Sequence, residues 1–176
     1  MESGRIKLVP PSTDVAPKIF EAIVESQIAL SEFLPWVPYA LTLETAVSNT
    51  QEAIKNFKDF NNELRFSIVC QENNTLLGVI GLMIIDKSVP YFEIGYWLRT
   101  SQVGKGYASE AVRLLQQYAF RELGAQRVEI KMAESNRKSQ AVAERCGYVY
   151  EGKLHNARRL PSGKLDNTFI YAKTGL

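Results

Sequence analysis

The stretch Gln102-Val103-Gly104-Lys105-Gly106-Tyr107-Ala108 constrains this chain more than any other. It follows an apolar strand pattern, Phe92 to Leu98, and opens an apolar helix pattern, Tyr107 to Phe120. A glycine-rich turn at the start of a helix aims several backbone N–H groups at one point. Such a nest, with the positive end of the helix behind it, holds a phosphate or pyrophosphate. Taken alone, two glycines also suit a tight strand-to-helix turn with no ligand. The spacing does not fit two common nucleotide sites. A Walker-type loop ends in Gly-Lys-Ser/Thr, and here Tyr107 follows Gly106. The dinucleotide fingerprint needs a third glycine where this chain has Ser109, and repeated parallel βαβ units that the pattern lacks.

The rest of the pattern sets the context of that loop. Ile6 to Val9 reads as a short edge strand closed by Pro10-Pro11. Thr13 or Asp14 is placed to cap a helix running to about Leu30, with Ile19, Ala22, Ile23 and Ile28 at roughly helical spacing. Phe33-Leu34-Pro35-Trp36-Val37-Pro38-Tyr39 is a stiff aromatic loop. Thr42 caps a second helix from Leu43 to Phe60. The period then changes to that of strands: Phe66 to Cys70, a hairpin turn at Asn73-Asn74, Leu76 to Ile85, and Tyr91 to Leu98. Gly78 and Gly81 mark a bulge or a close backbone approach. The helix after the glycine loop ends at Gly124. Arg127 to Met132 is a strand with Val128, Ile130 and Met132 on one side, which turns Glu129 away from them as ordinary sheet surface. Ser139 to Cys146 is a short helix. Tyr148 to Leu154 and Thr168 to Ala172 are the last strands, with the turn Pro161-Ser162-Gly163 before the final one. The order predicts an α+β fold, a mixed sheet covered by helices with the glycine loop near its middle. A chain of 176 residues, 45% of them hydrophobic, suits one domain over 1–176 with its core from about 6 to 172.

Charge and cysteine usage remove several function classes. The net charge of +2 comes from 21 basic and 19 acidic side chains, without the concentrated basic surface that nucleic acid requires. Cys70 and Cys146 stand alone, with no Cys-x-x-Cys and no histidine set, which argues against a disulfide scaffold or a structural metal site. No apolar run follows Met1, and none reaches the ~20 residues of a membrane span. A reduced cytoplasm is the expectation.

The whole constellation resembles the GNAT superfamily of N-acetyltransferases. The segments that carry the likeness are Glu93-Ile94-Gly95-Tyr96-Trp97-Leu98, Gly104 to Ala111, Leu123-Gly124-Ala125, Asn136-Arg137-Lys138-Ser139 and Cys146-Gly147-Tyr148, with Glu151-Gly152 and Asp166 also fitting. More narrowly, the chain resembles the bacterial ribosomal-protein N-terminal acetyltransferase (RimJ/RimL-like) branch. The resemblance covers Ile6 to Ala172. It implies an acyl-CoA N-acyltransferase fold with a splayed central sheet, and acetyl-CoA as the acyl donor. The loop Val103, Gly104, Lys105, Gly106, Tyr107 and Ala108 would wrap its pyrophosphate. Tyr96, Trp97 and Leu98 would give main-chain contacts to the pantetheine arm, Asn136 would hydrogen-bond that arm, and Ser139 would point at the sulfur.

The implied chemistry is acyl transfer from a thioester to an amine by direct attack in a ternary complex. The amine must lose a proton, and the departing thiolate must be stabilised. Glu93 lies on a central apolar strand, where burial raises a carboxyl pKa toward a useful value. It reads as the base, acting directly or through a water, with Glu129 and Glu151 as weaker alternatives; a substrate anchor and a structural ion pair stay open. Ser139, with Asn136, reads as the group that meets the leaving sulfur, or as a plain helix cap. Many relatives carry a tyrosine seven residues after the asparagine that matches Asn136. This chain has Ala143 there, so that acid does not carry over. His155, the only histidine, reads as surface.

Phe33, Trp36 and Tyr39 form an expected acceptor wall, and Asp166 an expected anchor for the acceptor ammonium; core packing and turn capping are their plainer readings. The acceptor reads first as a protein N-terminus, such as that of a ribosomal protein. Two alternatives stay open: a small amine (polyamine, amino acid or aminoglycoside), and a non-catalytic acyl-CoA-binding protein. No membrane or specific nucleic-acid partner is expected. A monomer and a homodimer both fit.

Overall fold

The computed structural model describes residues 1–175. They form one seven-stranded sheet in the order β1-β2-β3-β4-β5-β7-β6. The strands are β1 (Ile6–Val9), β2 (Glu63–Cys70), β3 (Leu76–Asp86), β4 (Tyr91–Leu98), β5 (Arg127–Ala133), β6 (Val149–Arg159) and β7 (Leu165–Lys173). The helices are α1 (Ala16–Leu30), α2 (Leu43–Asp59), α3 (Tyr107–Arg121) and α4 (Arg137–Arg145). The expected order of elements and the mixed sheet are both present.

Side chains alternate between the two faces of a strand. On β4, Phe92 and Ile94 join the main core with Val128, Ile130 and Met132 of β5 and Ala111, Val112, Leu115 and Ala119 of α3. The opposite face of β2 and β3 lies beneath α1 and α2. A second small core there joins Ile23, Leu30, Val37 and Ala40, with Trp97 packed against it.

Several local expectations change. Neither Thr13 nor Asp14 caps α1: they lie in a 3-10 turn, and α1 starts at Ala16 with Pro17 in its first turn, where a missing N–H costs nothing. Ile28 is 92% exposed, so the buried stripe of α1 runs through Ala22, Ile23, Ser26 and Leu30 instead. Thr42 does cap α2, its hydroxyl accepting from Thr45 N at 3.1 Å. The cap of α4 is Asn136, which accepts from Ser139 N at 3.1 Å, and the helix begins at Arg137 rather than Ser139. The last two strands are longer than their apolar runs, because β6 and β7 pair along a hairpin as far as Arg159 and Leu165.

One junction is unlike the others. The strand pairs are antiparallel except β4 with β5, which run parallel and pair only over Tyr91–Glu93 and Arg127–Glu129. Beyond that point β4 stays with β3 as far as Leu98, and β5 stays with β7 as far as Ala133. The gap therefore opens between two intact half-sheets. Backbone groups of a strand alternate between its neighbours, so alternate N–H and C=O groups of Ile94–Leu98 face the gap.

Candidate active site

The glycine loop sits at the end of β4, where the gap is widest. Gly104 and Gly106 have φ of 85° and 84°, a left-handed conformation that other residues adopt only with strain. Gly106 is the residue from which α3 starts. Among the described residues, the N–H groups of Gly104 to Ala108 donate to no protein acceptor, whereas Val103 N donates to Thr100 O at 3.3 Å. The loop thus presents a run of unpaired donors at a helix N-terminus, which suits an anionic pyrophosphate. The Lys105 ammonium bonds to Gln102 Oε1 at 3.0 Å instead of pointing freely outward.

Two clamps hold this exposed loop, and neither was read from the sequence. At its entry, the Glu25 carboxylate accepts from Arg99 Nε (2.8 Å), Ser101 Oγ (2.7 Å) and Ser101 N (3.3 Å), while Ser26 Oγ accepts from Thr100 N (2.9 Å). At its exit, Arg5 donates to Lys105 O at 3.1 Å, pairs with Glu110 on α3, and lies 5.0 Å from the centre of the Tyr107 ring. These partners are about 75 and 100 residues apart in the chain. Sequence spacing carries no signal for such contacts.

Across the gap, Tyr96 of β4 reaches α4. Its hydroxyl lies 2.9 Å from Ser139 Oγ and 3.4 Å from Ser139 O. Burial, partly opposed by the bond with Ser139, pushes the Tyr96 phenol up to about 12, so it stays protonated. Asn136 spends its side-chain oxygen on the α4 cap. Its N–H donates to Ala133 O at 2.9 Å, which keeps it at the mouth of the gap. Ala143 is fully buried in the core.

Glu93 marks the point where β4 and β5 part. Its carboxylate lies 3.2 Å from Lys131 Nζ, and the same ammonium pairs with Glu129. Arg127 joins Glu129 at 3.0 Å and Glu151 at 2.7 Å, extending the row. Glu129 is 1% exposed, which corrects its reading as sheet surface. It does face away from the main core, but Tyr91, Arg127 and Lys131 close over it. Burial raises the Glu93 pKa, and Lys131 opposes that rise. For Glu129 burial also pushes upward, but bonds from Lys131, Tyr91 and Arg127 outweigh it and the pKa is lowered. Burial lowers Lys131, yet its two carboxylates push it up to about 12.

On the same face lies a cleft of about 690 Å³ under α1 and α2. The strand register lays out its floor as three rows: Glu63 and Met83; then Arg65, Gly81, Gly95; then Ser67, Val79, Trp97. Glu93 follows Met83 in the first row but is not among the lining residues. In the middle row two glycines face each other, so the floor there is bare backbone. A Cβ on Gly81 would lie 1.8 Å from Glu63 Oε1, which leans over that dent. Arg65 holds Glu63 by two bonds to Oε2, at 2.7 and 3.0 Å. Trp36 and Tyr39 line the cleft, and the Trp36 ring sits 6.2 Å from that of Trp97. Phe33 and Asp166 are not among the lining residues. Phe33 is half-buried at the start of its loop. Asp166 accepts from Ser135 Oγ at 2.6 Å and Ser135 N at 3.2 Å, and those bonds hold its pKa down; it braces the turn before Asn136. His155 is exposed on β6.

A parted sheet, a free amide nest at a helix start beside it, and a cleft on the far face together define an acetyl-CoA-dependent N-acetyltransferase. The profile of the acetyltransferase (GNAT) domain matches residues 5–149, and the chain belongs to that family. An N-acetyltransferase of Bacillus licheniformis called p20, itself uncharacterised, is 32% identical over 135 residues, 75% of either chain. The ribosomal-protein-serine acetyltransferase of Escherichia coli is 26% identical over 155 residues, 88% of this chain and 84% of its own. The ribosomal-protein alpha-N-acetyltransferase RimL, solved with coenzyme A, superposes with a TM-score of 0.92 at 25% identity, covering 98% of this chain and 96% of its own. These likenesses support the RimJ/RimL-like branch. The donor is acetyl-CoA.

Proposed function

We propose that this enzyme acetylates the N-terminal α-amine of a protein, a ribosomal protein among the cytoplasmic candidates, and that residues 6–172 act as one catalytic domain. The observation that carries this reading is the cleft. Its walls are largely apolar, from Ile19, Ile23, Leu34, Trp36 and Ala40, and its floor carries a paired Glu63 and Arg65. A polyamine or aminoglycoside calls for a concentrated acidic pocket. An extended chain end fits apolar walls with a few polar groups. The names of the relatives point the same way.

In this reading the donor lies in the gap, with its pyrophosphate on the amides of Gly104 to Ala108 and its arm along Tyr96, Trp97 and Leu98. Asn136 and Ser139 meet it from α4. The acceptor enters from the other face, between Trp36, Tyr39 and the bare Gly81–Gly95 floor. Glu93 takes the amine proton. Glu93 and Trp97 are four steps apart along the strand, a rise of about 13 Å. That is too far for direct contact with an amine at the thioester, so ordered water over Gly95 carries the proton. The amine nitrogen bonds to the acyl carbon, the C–S bond breaks with its electron pair on sulfur, and Ser139 donates a hydrogen bond to that sulfur.

The test is turnover of acetyl-CoA with a panel of short peptides, polyamines and aminoglycosides. Peptides with free N-termini are expected to react, and blocked peptides with a free lysine are not. Turnover of spermidine alone would overturn the protein reading. Tight acetyl-CoA binding without turnover of any amine would overturn the enzymatic one.

A further inference from the structure

We propose that Tyr96 is a positioning residue that fixes the hydroxyl rotor of Ser139, leaving the single Ser139 proton free to point at the donor sulfur. The proposal rests on the reading that Ser139 meets that sulfur. It answers the absence of an acid at Ala143 with a residue on a different element.

A serine hydroxyl has one proton and two acceptor lone pairs. If Ser139 donated to Tyr96, nothing would remain for the leaving group. Donor strength favours the reverse. The Tyr96 hydroxyl, with one proton, lies 2.9 Å from Ser139 Oγ, where either oxygen can donate, and 3.4 Å from Ser139 O, the longer and weaker contact. A phenol is the stronger donor of the pair and an alcohol oxygen the stronger acceptor. Burial keeps the phenol protonated. The groups around Tyr96 supply no rival. Arg145 is a cation that cannot accept. The thiol of Cys146 is held neutral by burial and donates to Ser109 O at 3.4 Å. The buried Tyr148 hydroxyl has no partner among the described residues, and burial raises its pKa as well. Among the described residues the Ser139 hydroxyl has no hydrogen-bond partner but Tyr96, and Ser139 N is tied to the Asn136 cap. Donation to sulfur moves no proton from the protein. The amine proton passes through Glu93 to solvent, and solvent protonates the released thiolate, so atoms and charge balance.

The test is the thiol pKa of bound coenzyme A, read from thiolate ultraviolet absorbance against pH. Ser139→Ala and Tyr96→Phe are each expected to raise it by about one and to lower kcat about tenfold, with the acceptor KM unchanged. The double variant is expected to lose no more than either single one. Both losses shrink with an aryl thioester donor, whose thiolate leaves without help. Fluorotyrosine in place of Tyr96, nearly the same in shape and a stronger donor, is expected to lower the bound thiol pKa. If Ser139→Ala raises the thiol pKa and Tyr96→Phe or the fluorinated ring leaves it unmoved, Tyr96 has no positioning role. If Ser139→Ala itself changes neither quantity, the reading of Ser139 fails first and the proposal with it.

Discussion

Lys131 Nζ lies 3.2 Å from the Glu93 carboxylate and also binds the nearly inaccessible Glu129, so one ammonium serves two acids at the point where the sheet divides. Burial pushes the Glu93 pKa up and Lys131 pulls it back. Removing the cation takes away the opposing effect and leaves Glu129, with Arg127 as its remaining cation, as a like-charged neighbour. Lys131→Met is therefore expected to move the acidic limb of the kcat/KM profile to higher pH, with a greater loss at pH 6 than at pH 8. Lys131→Arg keeps the limb near its original position. A limb that stays put in Lys131→Met would mean that it does not report Glu93.

Glu129 titrates the other way. Its folded pKa is lowered, so the folded state binds its proton less readily than the unfolded chain does. The stability it contributes is present above the unfolded carboxyl pKa and is lost as pH falls through the folded one. Glu129→Gln is expected to cost about 3 kcal/mol at pH 7, since Arg127 and Lys131 lose a shared buried partner. Denaturant melts at pH 7 and pH 3 should show the difference from the parent shrinking in acid.

Arg5 holds the glycine loop from outside through Lys105 O and Glu110. Arg5→Ala is expected to raise the coenzyme A Kd several-fold, measured by calorimetry, while the acceptor KM stays the same. Gly104→Ala strains a left-handed position with open space around it, and should cost about 1 kcal/mol of stability as well as donor affinity.

The acceptor side is tested separately by the bare floor. A Cβ on Gly95 would approach Met83 Cε at 3.2 Å, a contact a flexible side chain relieves. Gly95→Val is expected to fold, to bind coenzyme A with unchanged Kd, and to lose at least tenfold in kcat/KM for peptide. Unchanged peptide turnover would place the acceptor elsewhere.

Much of this architecture is legible in local sequence because local sequence determines it. The glycine loop, the Thr42 cap and the three central strands follow from period and turn chemistry within a few residues. What the sequence hides depends on contacts between distant segments. Glu129 alternates correctly to the far side of its strand, yet alternation carries no information on whether Tyr91, Arg127 and Lys131 close over it. Nothing near Arg5 points to Lys105, and nothing near Tyr96 points to Ser139. Asp166 and Phe33 were attractive by type, but Asp166 braces Ser135 and Phe33 lies outside the cleft lining. Gly78 and Gly81 read as a bulge or a close backbone approach; backbone does close on Gly78, at Trp97 O, whereas Gly81 is approached by the Glu63 side chain and its facing partner Gly95 emerges only from the strand register.

The three-pair ladder between β4 and β5 makes the middle of this sheet its weakest seam. In the proposed placement, a thioester arm along that seam acts as mortar, supplying the rungs that the polypeptide leaves out. Donor capture and cohesion of the folded molecule are then one event. On that placement, each catalytic cycle begins by stiffening the enzyme and ends, when the spent carrier departs, by loosening it again.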